Sequence, residues 1–198
     1  MQSITSQIVP VDGCAVNTLQ GGDPAKTTML FLHGKAFQAE TWKELGTLQA
    51  AIDAGFSVLA IDLPGFGKTA EAEIPPEVII SGVMEATAHK EVILIGPSMG
   101  GKIALEFSLE NPNKVMALVL IGAVGVQENK DQLHELPEST LILWGENDQI
   151  SDPTNGTLLN EAITDSKLVI FKGAKHPCYL EQPVLWHETL LNFAKTIA

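Results

Sequence analysis

The sequence predicts an α/β fold, a mostly parallel twisted sheet of about seven to eight strands with helices on both faces. Short, nearly all-apolar runs alternate with helix-compatible segments from residue 28 onward. This is the pattern of a parallel sheet that is covered on both sides. Before it, a turn signal at Asp12-Gly13 separates two strand-like runs and predicts an N-terminal hairpin. Polar residues follow several of the apolar runs, where sites in such sheets lie.

Eight apolar or β-branched runs are predicted as strands. They span residues 8–11, 15–19, 28–32, 56–61, 92–96, 115–121, 140–144 and 167–171. The first two form the hairpin, and the other six alternate with helices and therefore belong to the parallel part of the sheet.

Five segments with helical spacing are predicted as helices. They span residues 41–54, 75–90, 102–110, 154–163 and 183–197. In the first helix, Thr41 and Glu44 form a predicted capping box, and Gly55 ends the helix. Gly82 weakens the second helix. The connector at 122–139, with a short helix near 131–136, is too short for a lid domain.

Length and charge limit the class of protein. A chain of 198 residues is long enough for a sizeable core and predicts one domain over residues 1–198. The formal net charge is −12, and all 12 basic residues are lysines. Without arginine the chain lacks the planar fork that binds phosphate or carboxylate at two points. Nucleic acid and strongly anionic substrates are therefore not expected.

The two cysteines, Cys14 and Cys178, are too few for a disulfide framework and predict free thiols in a reducing compartment. The first twenty residues lack the pattern of a signal peptide. The longest apolar run, 115–126, is too short to span a bilayer. We expect a protein without membrane association that is located in the cytoplasm, with a nuclear location as the alternative. No metal site is expected, because no ligand spacing of the zinc type occurs.

The segment Gly96-Pro97-Ser98-Met99-Gly100 lies between a predicted strand and a predicted helix. A serine on such a sharp turn projects its hydroxyl clear of the sheet, and the tight turn requires very small residues two positions to either side. The following helix directs its partially positive N-terminus at the site. Ser98 is therefore the candidate nucleophile. The alternative is an ordinary strand–turn–helix with a surface serine.

A serine nucleophile needs a base, and the base needs an orienting carboxylate. His176 follows the last predicted strand, from where it can reach over the sheet edge toward Ser98, and it is the candidate base. The other histidines are expected on surface segments, in packing or in loop shaping; they are His33, His89, His134 and His187.

Asp148, a few residues after the penultimate strand, is the candidate acid. The order nucleophile, acid, histidine supports this choice. Glu146 and Asp152 compete with it, although Asp152 is better explained as a helix cap before Pro153. Asp62 follows an earlier strand and is expected to fix a loop by hydrogen bonds.

An oxyanion formed at the substrate needs two preorganised donors. The backbone amides of Met99, just after the nucleophile, and Lys35, just after His33-Gly34, are predicted to supply them. We assign His33, Gly34 and Phe37 to substrate binding, with His33 also shaping its loop. Cys178, close to the candidate base, has no elbow around it and is predicted to be buried and inert.

With these residues placed, the chain resembles the α/β-hydrolase superfamily and, more narrowly, the lidless family of α/β-hydrolase domain-containing protein 14. The resemblance covers nearly the whole chain from residue 28. Its main segments are Phe31-Leu32-His33-Gly34, Glu40-Thr41-Trp42, Ala60-Ile61-Asp62-Leu63-Pro64-Gly65, the elbow, His176-Pro177-Cys178-Tyr179-Leu180 and Trp186-His187.

This resemblance implies a triad of Ser98, Asp148 and His176 that hydrolyses short acyl esters, such as acetyl or butyryl esters. It also implies removal of acetyl groups from lysine side chains, with coenzyme A as the acyl acceptor, and association with a general transcription factor. No other cofactor is implied. Two alternatives stay open: an acyltransferase that uses the same residues, and a non-catalytic protein-interaction module on a hydrolase fold.

Overall fold

One eight-stranded sheet organises the chain. A computed structural model describes residues 3–197, and the strand order across the sheet is β1-β2-β4-β3-β5-β6-β7-β8. The strands are β1 (Thr5–Val11), β2 (Cys14–Gly21), β3 (Thr28–Phe31), β4 (Ser57–Ile61), β5 (Val92–Pro97), β6 (Val115–Ile121), β7 (Thr140–Gly145) and β8 (Lys167–Phe171).

The pairing confirms a mostly parallel sheet with an N-terminal hairpin. Strands β3 to β8 pair in parallel, whereas β1 pairs with β2, and β2 with β4, in antiparallel register. The hairpin turns at Asp12 and Gly13, whose φ angles of 46° and 82° are typical of the tight turns that match strand twist. The carboxyl ends of the parallel strands consequently lie along one edge.

Within residues 3–197, seven α-helices cover the two faces of the sheet. They are α1 (Ala39–Glu44), α2 (Thr47–Asp53), α3 (Pro76–Ala86), α4 (Met99–Glu110), α5 (Thr154–Ala162), α6 (Cys178–Glu181) and α7 (Pro183–Ala194). The buried side chains of α3, α4 and α5 belong to the hydrophobic cluster on one face. Those of α1, α2, α6 and α7 belong to the cluster on the other face. This is the predicted helix–sheet–helix arrangement.

The predicted single helix over 41–54 is wrong in two respects. Gly46 has a φ of 83°, which interrupts the helix and separates α1 from α2. The capping box lies earlier than predicted, because Gln38 is the N-cap and Thr41 occupies its third position. Gly55 does end α2 in the left-handed conformation, with its amide bonded to Ile52.

Several other helix bounds differ from the prediction, and α5 and α7 end earlier than predicted, at Ala162 and Ala194. Helix α3 ends at Ala86 instead of residue 90, because Ala88 adopts a φ of 60° and its amide bonds back to Glu85. Helix α4 begins at Met99, directly after the elbow. The short helix α6 precedes α7 and was not predicted; the connector near 131–136 holds a 3₁₀ turn at Leu133–Glu135.

Large aromatic and aliphatic side chains fill both layers of the core. Trp42, Trp144 and Trp186 are each at most 1% exposed. The two cysteines are buried and free. Over residues 3–197, every helix falls short of the length and apolar character that crossing a bilayer requires.

Candidate active site

The elbow residue Ser98 lies at the carboxyl end of β5 and has a φ of 52° with a ψ of −114°. A residue with a side chain rarely adopts this backbone conformation, and such strain occurs where the surrounding structure enforces it. Here the amide of Ser98 donates to Ile121 at 2.9 Å, and its carbonyl accepts from Lys102 at 3.0 Å. The turn is thereby fixed between β6 and the first turn of α4.

The small residues around the elbow are sterically required. A Cβ on Gly96 would collide with the carbonyl oxygen of Gly100. A Cβ on Gly100 would lie 2.6 Å from the carbonyl oxygen of His33, on the neighbouring loop. Glycines at 96 and 100 thus let the helix start close to both the strand and the adjacent loop, as the sequence spacing predicts.

Asp148 and His176 are brought together by the loops after β7 and β8. The Oδ2 of Asp148 lies 2.7 Å from Nδ1 of His176. The other oxygen, Oδ1, accepts the amides of Ile150 and Ser151 at 2.8 and 3.0 Å. The carboxylate side chain has no exposed surface. It is therefore held in one orientation, with one oxygen available to the imidazole.

The two loops are joined to one another by their backbones. The amide of Glu146 donates to Phe171, and that of Asn147 donates to Ala174. Gly122, directly after β6, has a φ of 50°, and a Cβ there would lie 3.0 Å from Oδ2 of Asp148 and 3.2 Å from Nδ1 of His176. Gly122 thus allows the backbone to pack against the Asp–His pair.

The second ring nitrogen of His176 is free. Its Nε2 is enclosed by protein and has no hydrogen-bond partner among residues 3–197. Buried polar atoms are normally paired, and exceptions often mark functional sites. With Nδ1 directed at the carboxylate, the Nε2 atom is the one that can accept a proton from a nucleophile or a water molecule. Ser98 and His176 border the same cavity.

Two backbone amides beside this cavity are candidate oxyanion donors. Met99 is the first residue of α4, so its amide has no acceptor within the helix. The amide of Lys35, in the loop after β3, donates to no acceptor in the described chain. A Cβ on Gly34 would lie 3.8 Å from Cβ of Ser98, which places the Lys35 loop directly beside the elbow.

The cavity at this edge has a volume of about 270 Å³, small compared with typical ligand pockets. Gly34 and Phe37, both assigned to substrate binding from the sequence, line it. The full lining is Gly34, Lys35, Ala36, Phe37, Pro97, Ser98, Ile121, Ile150, His176, Pro177 and Tyr179. Most of this surface is apolar, and Ile150 at its margin is 68% exposed.

His33 does not line the cavity, contrary to its assignment to substrate binding. Its Nδ1 lies 2.9 Å from the carbonyl oxygen of Gly34, and its Nε2 accepts the amide of Leu63 at 3.1 Å. Burial lowers the pKa of His33, which fits a neutral ring that donates from one nitrogen and accepts at the other. His33 therefore shapes the loop that presents Gly34 and Lys35.

The alternative acids have structural explanations. Asp62 is buried, and its carboxylate accepts the amides of Ala39 and Lys68 and the side chain of Asn17, which confirms its predicted loop-fixing role. Asp152 accepts the amide and the hydroxyl of Thr154 and so fixes the turn before α5, although the N-cap of α5 is Pro153 and not Asp152 as predicted. Glu146 accepts the amide of Gly173 on the surface.

Sequence reasoning missed several cavity residues. Pro177 and Tyr179 line the site and belong to the His176–Leu180 segment, but the sequence analysis assigned neither of them a role. Ile150 belongs to no motif, and Gly122 resembles an ordinary loop glycine. The signals that could have suggested them are that segment for Pro177 and Tyr179, and a position shortly after a strand end for Ile150 and Gly122. Cys178 lies in the core, and burial raises its pKa to about 12, so its thiol is not a candidate nucleophile. Residues 3–197 contain no metal-binding group of three or more side chains.

The chain is similar in sequence to a family model and to several named proteins. Residues 27–138 match the family model described as alpha/beta hydrolase fold. The rat protein named "Putative protein-lysine deacylase ABHD14B" is 31% identical over 185 residues, which cover 89% of this chain and 87% of that protein. Mouse ABHD14A is 33% identical over 180 residues, covering 85% of this chain and 70% of that protein.

A similar architecture occurs in a solved structure. The crystal structure of a predicted CIB-like hydrolase from Thermoplasma acidophilum superimposes with a TM-score of 0.95 at 22% identity. The match covers 99% of this chain and all of that one. At this identity the likeness concerns the fold.

Proposed function

Because this chain belongs to the α/β-hydrolase fold family, and within it to the group of ABHD14A and ABHD14B, we propose that it is a serine hydrolase of short acyl groups. Ser98 is the nucleophile, His176 the base and Asp148 the orienting acid. The observation that carries this proposal is the pairing of Asp148 with Nδ1 of His176 at 2.7 Å, which leaves Nε2 unpaired beside the Ser98 cavity.

In the proposed reaction the hydroxyl of Ser98 attacks the acyl carbon while Nε2 of His176 takes its proton. The buried carboxylate of Asp148 keeps the ring in the tautomer with hydrogen on Nδ1 and stabilises the imidazolium that forms. His176 then gives the proton to the leaving alcohol or amine, and an acyl-serine remains. Water, deprotonated by His176, attacks this ester and releases the acid.

Negative charge develops on the carbonyl oxygen in both steps. The amides of Lys35 and Met99 are suited to receive it, because neither is committed to another acceptor. They belong to the loop that the hydrogen bonds of His33 shape and to the start of α4. Preorganised donors of this kind cost no rearrangement during the reaction.

The size of the cavity favours small acyl groups. A volume of about 270 Å³ accommodates an acetyl or butyryl group with part of the leaving group.

An acylated lysine is the second candidate substrate, and the deacylase name of the rat relative favours it. Assays of an acetyl-lysine peptide with and without added coenzyme A distinguish hydrolysis from transfer to a thiol.

The direct test replaces the nucleophile. We expect Ser98→Ala to lose nearly all activity on p-nitrophenyl acetate, a fall of at least about 10³-fold in kcat/KM, while its thermal unfolding curve shows a folded protein. Ser139→Ala, which removes a hydroxyl remote from the cavity, is the matched control and keeps full activity.

A fluorophosphonate probe separates catalysis from a binding role. The probe should label Ser98 of the wild-type protein and leave Ser98→Ala unlabelled. An unlabelled wild-type protein, or full esterase activity in Ser98→Ala, would disprove the proposed function and favour a non-catalytic interaction module.

A further inference from the structure

The side chain of Tyr179, the only tyrosine of the chain, is 2% exposed and lines the cavity beside Ser98. Within residues 3–197 its hydroxyl makes no hydrogen bond. Among the side-chain nitrogen and oxygen atoms of residues 3–197, Nε2 of His176 is the only one that is fully enclosed by protein and also lacks a hydrogen-bond partner. The Tyr179 oxygen lacks a partner but is not fully enclosed in this way. The Tyr179 oxygen therefore keeps some open surface, although the residue as a whole is buried.

The neighbouring aromatic residues do not share this feature. The indole nitrogen of Trp42 donates to the carbonyl of Leu32 at 2.9 Å, and that of Trp186 donates to Thr47 at 3.1 Å. Buried tyrosine and tryptophan groups usually find such partners, since an unmatched donor costs free energy. An unmatched hydroxyl next to open space is therefore a candidate contact for a ligand.

Packing holds the Tyr179 ring in place. Its centroid lies 5.0 Å from that of Trp42, 6.2 Å from that of Trp186 and 6.5 Å from that of Phe37. The ring is thus surrounded by rigid groups and can present its hydroxyl in a fixed position, which is what selective recognition of a substrate requires.

The hydroxyl keeps its proton in this environment. Burial raises the pKa of Tyr179 well above its ordinary value. A neutral phenol can donate one hydrogen bond to an oxygen acceptor, and it does not repel a polar substrate by charge.

We propose that Tyr179 is a specificity-determining residue whose hydroxyl donates a hydrogen bond to an ether or keto oxygen on the acyl group of the substrate. This inference rests on the proposed function, because it concerns the acyl group bound beside Ser98. The preferred substrates are then short acyl groups with an uncharged oxygen beyond the reacting carbonyl. Purely hydrocarbon acyl groups of equal size leave the hydroxyl unmatched.

Two pairs of esters test this specificity. p-Nitrophenyl methoxyacetate and butyrate differ by one oxygen in place of a methylene. The 4-oxopentanoate and 4-methylpentanoate esters differ by a keto oxygen in place of a methyl group. For each ester the ratio of kcat/KM between wild type and Tyr179→Phe is measured, so that intrinsic differences in ester reactivity cancel.

We expect Tyr179→Phe to lower kcat/KM about 5- to 10-fold for at least one oxygen-bearing ester and less than about twofold for its hydrocarbon partner. Phe37→Leu reshapes the same cavity without removing a hydroxyl, and it should change both members of a pair equally. Equal changes of both members in Tyr179→Phe would overturn the proposal, because loss of packing alone explains them.

A second measurement does not depend on hydrolysis. In Ser98→Ala protein labelled with 3-fluorotyrosine, the single tyrosine gives one fluorine resonance. The chemical shift of this resonance should change when a methoxyacetate or 4-oxopentanoate ester is added, and it should change much less with the matching hydrocarbon ester. Equal shifts, or none, contradict the role of Tyr179. Absence of turnover of all four esters by wild type would instead count against the proposed function.

Discussion

At the residue scale, the contacts of Asp148 serve the structure and also the proposed chemistry. One of its oxygens accepts two backbone amides of its own loop, and the other faces His176. A buried carboxylate needs such compensation, since burial of an unpaired charge is very costly. The same contacts that satisfy the carboxylate fix the orientation of the imidazole.

Replacement of Asp148 separates these two roles. Asp148→Asn keeps an oxygen for the loop amides but presents an NH₂ group to His176. The ring must then accept at Nδ1 and carry hydrogen on Nε2, so it cannot act as base. We expect kcat to fall about 10³- to 10⁴-fold with little change in the free energy of unfolding, measured by p-nitrophenyl acetate kinetics and urea denaturation.

The alanine variant should behave differently from the asparagine variant. Asp148→Ala also leaves the buried amide of Ser151 without its acceptor, which should lower the free energy of unfolding by about 1–3 kcal/mol. Asp152→Asn, a neighbouring exposed carboxylate, is the control and should keep full activity. Loss of activity in Asp152→Asn with retention in Asp148→Asn would transfer the acid role to Asp152.

At the element scale, close packing explains why a residue of low helix propensity occurs inside a helix. Gly82 lies in the middle of α3, where glycine lowers helix stability by about 1 kcal/mol relative to alanine. A Cβ at this position would lie 2.5 Å from Cγ1 of Val11, on strand β1. Gly82 therefore allows α3 to approach the hairpin closely.

This contact predicts that the residue at position 11 decides whether Gly82→Ala lowers or raises the free energy of unfolding. Gly82→Ala should lower the free energy of unfolding by about 1–2 kcal/mol, because overpacking outweighs the gain in helix propensity. In a Val11→Ala background, which removes the obstructing methyl groups, the same substitution should be neutral or stabilising. Urea denaturation of the four proteins measures this coupling. Additive effects would show that the two side chains do not limit the helix–strand approach.

At the scale of the whole molecule, histidines packed into both layers link stability to pH. Burial lowers the pKa values of His33, His89 and His187. Of these, His89 lies 3.1 Å from the hydroxyl of Thr28, and His187 lies 2.9 Å from that of Thr47. The folded protein thus favours neutral rings, of which His89 joins the loop after α3 to β3 and His187 joins α7 to α2.

We expect the free energy of unfolding to fall as the pH is lowered from 7.5 to 5.5. The unfolded chain binds protons at these histidines near pH 6.5, whereas the folded chain binds them only at lower pH. Protonation therefore favours the unfolded state below about pH 6.5, until the lowered folded pKa values are reached. Urea denaturation at pH 7.5, 6.5 and 5.5 measures the effect, and His187→Gln should reduce the slope. Constant or increasing stability on acidification would contradict the assigned directions.

Much of the fold and the site could be predicted from local sequence. Strands β6 and β8 have the bounds predicted from their apolar runs. Strand β6 is buried on both faces, which leaves a continuous hydrophobic pattern, whereas β8 is the edge strand and is only partly buried. The glycines around Ser98 predicted a turn whose steric need the structure confirms. Gly46 misled the prediction, since a single glycine can either continue a helix or interrupt it.

The sequence by itself determined the layered α/β architecture, the elbow around Ser98 and the order of the candidate triad residues. These features depend on residues that are close along the chain, or on strand ends that a parallel sheet gathers at one edge. Only the tertiary structure decided that Asp148 meets His176, that His33 faces a loop instead of the cavity, and that Tyr179 has an unmatched hydroxyl. The physical reason is that contacts between distant segments depend on how side chains pack in three dimensions, which local patterns do not encode.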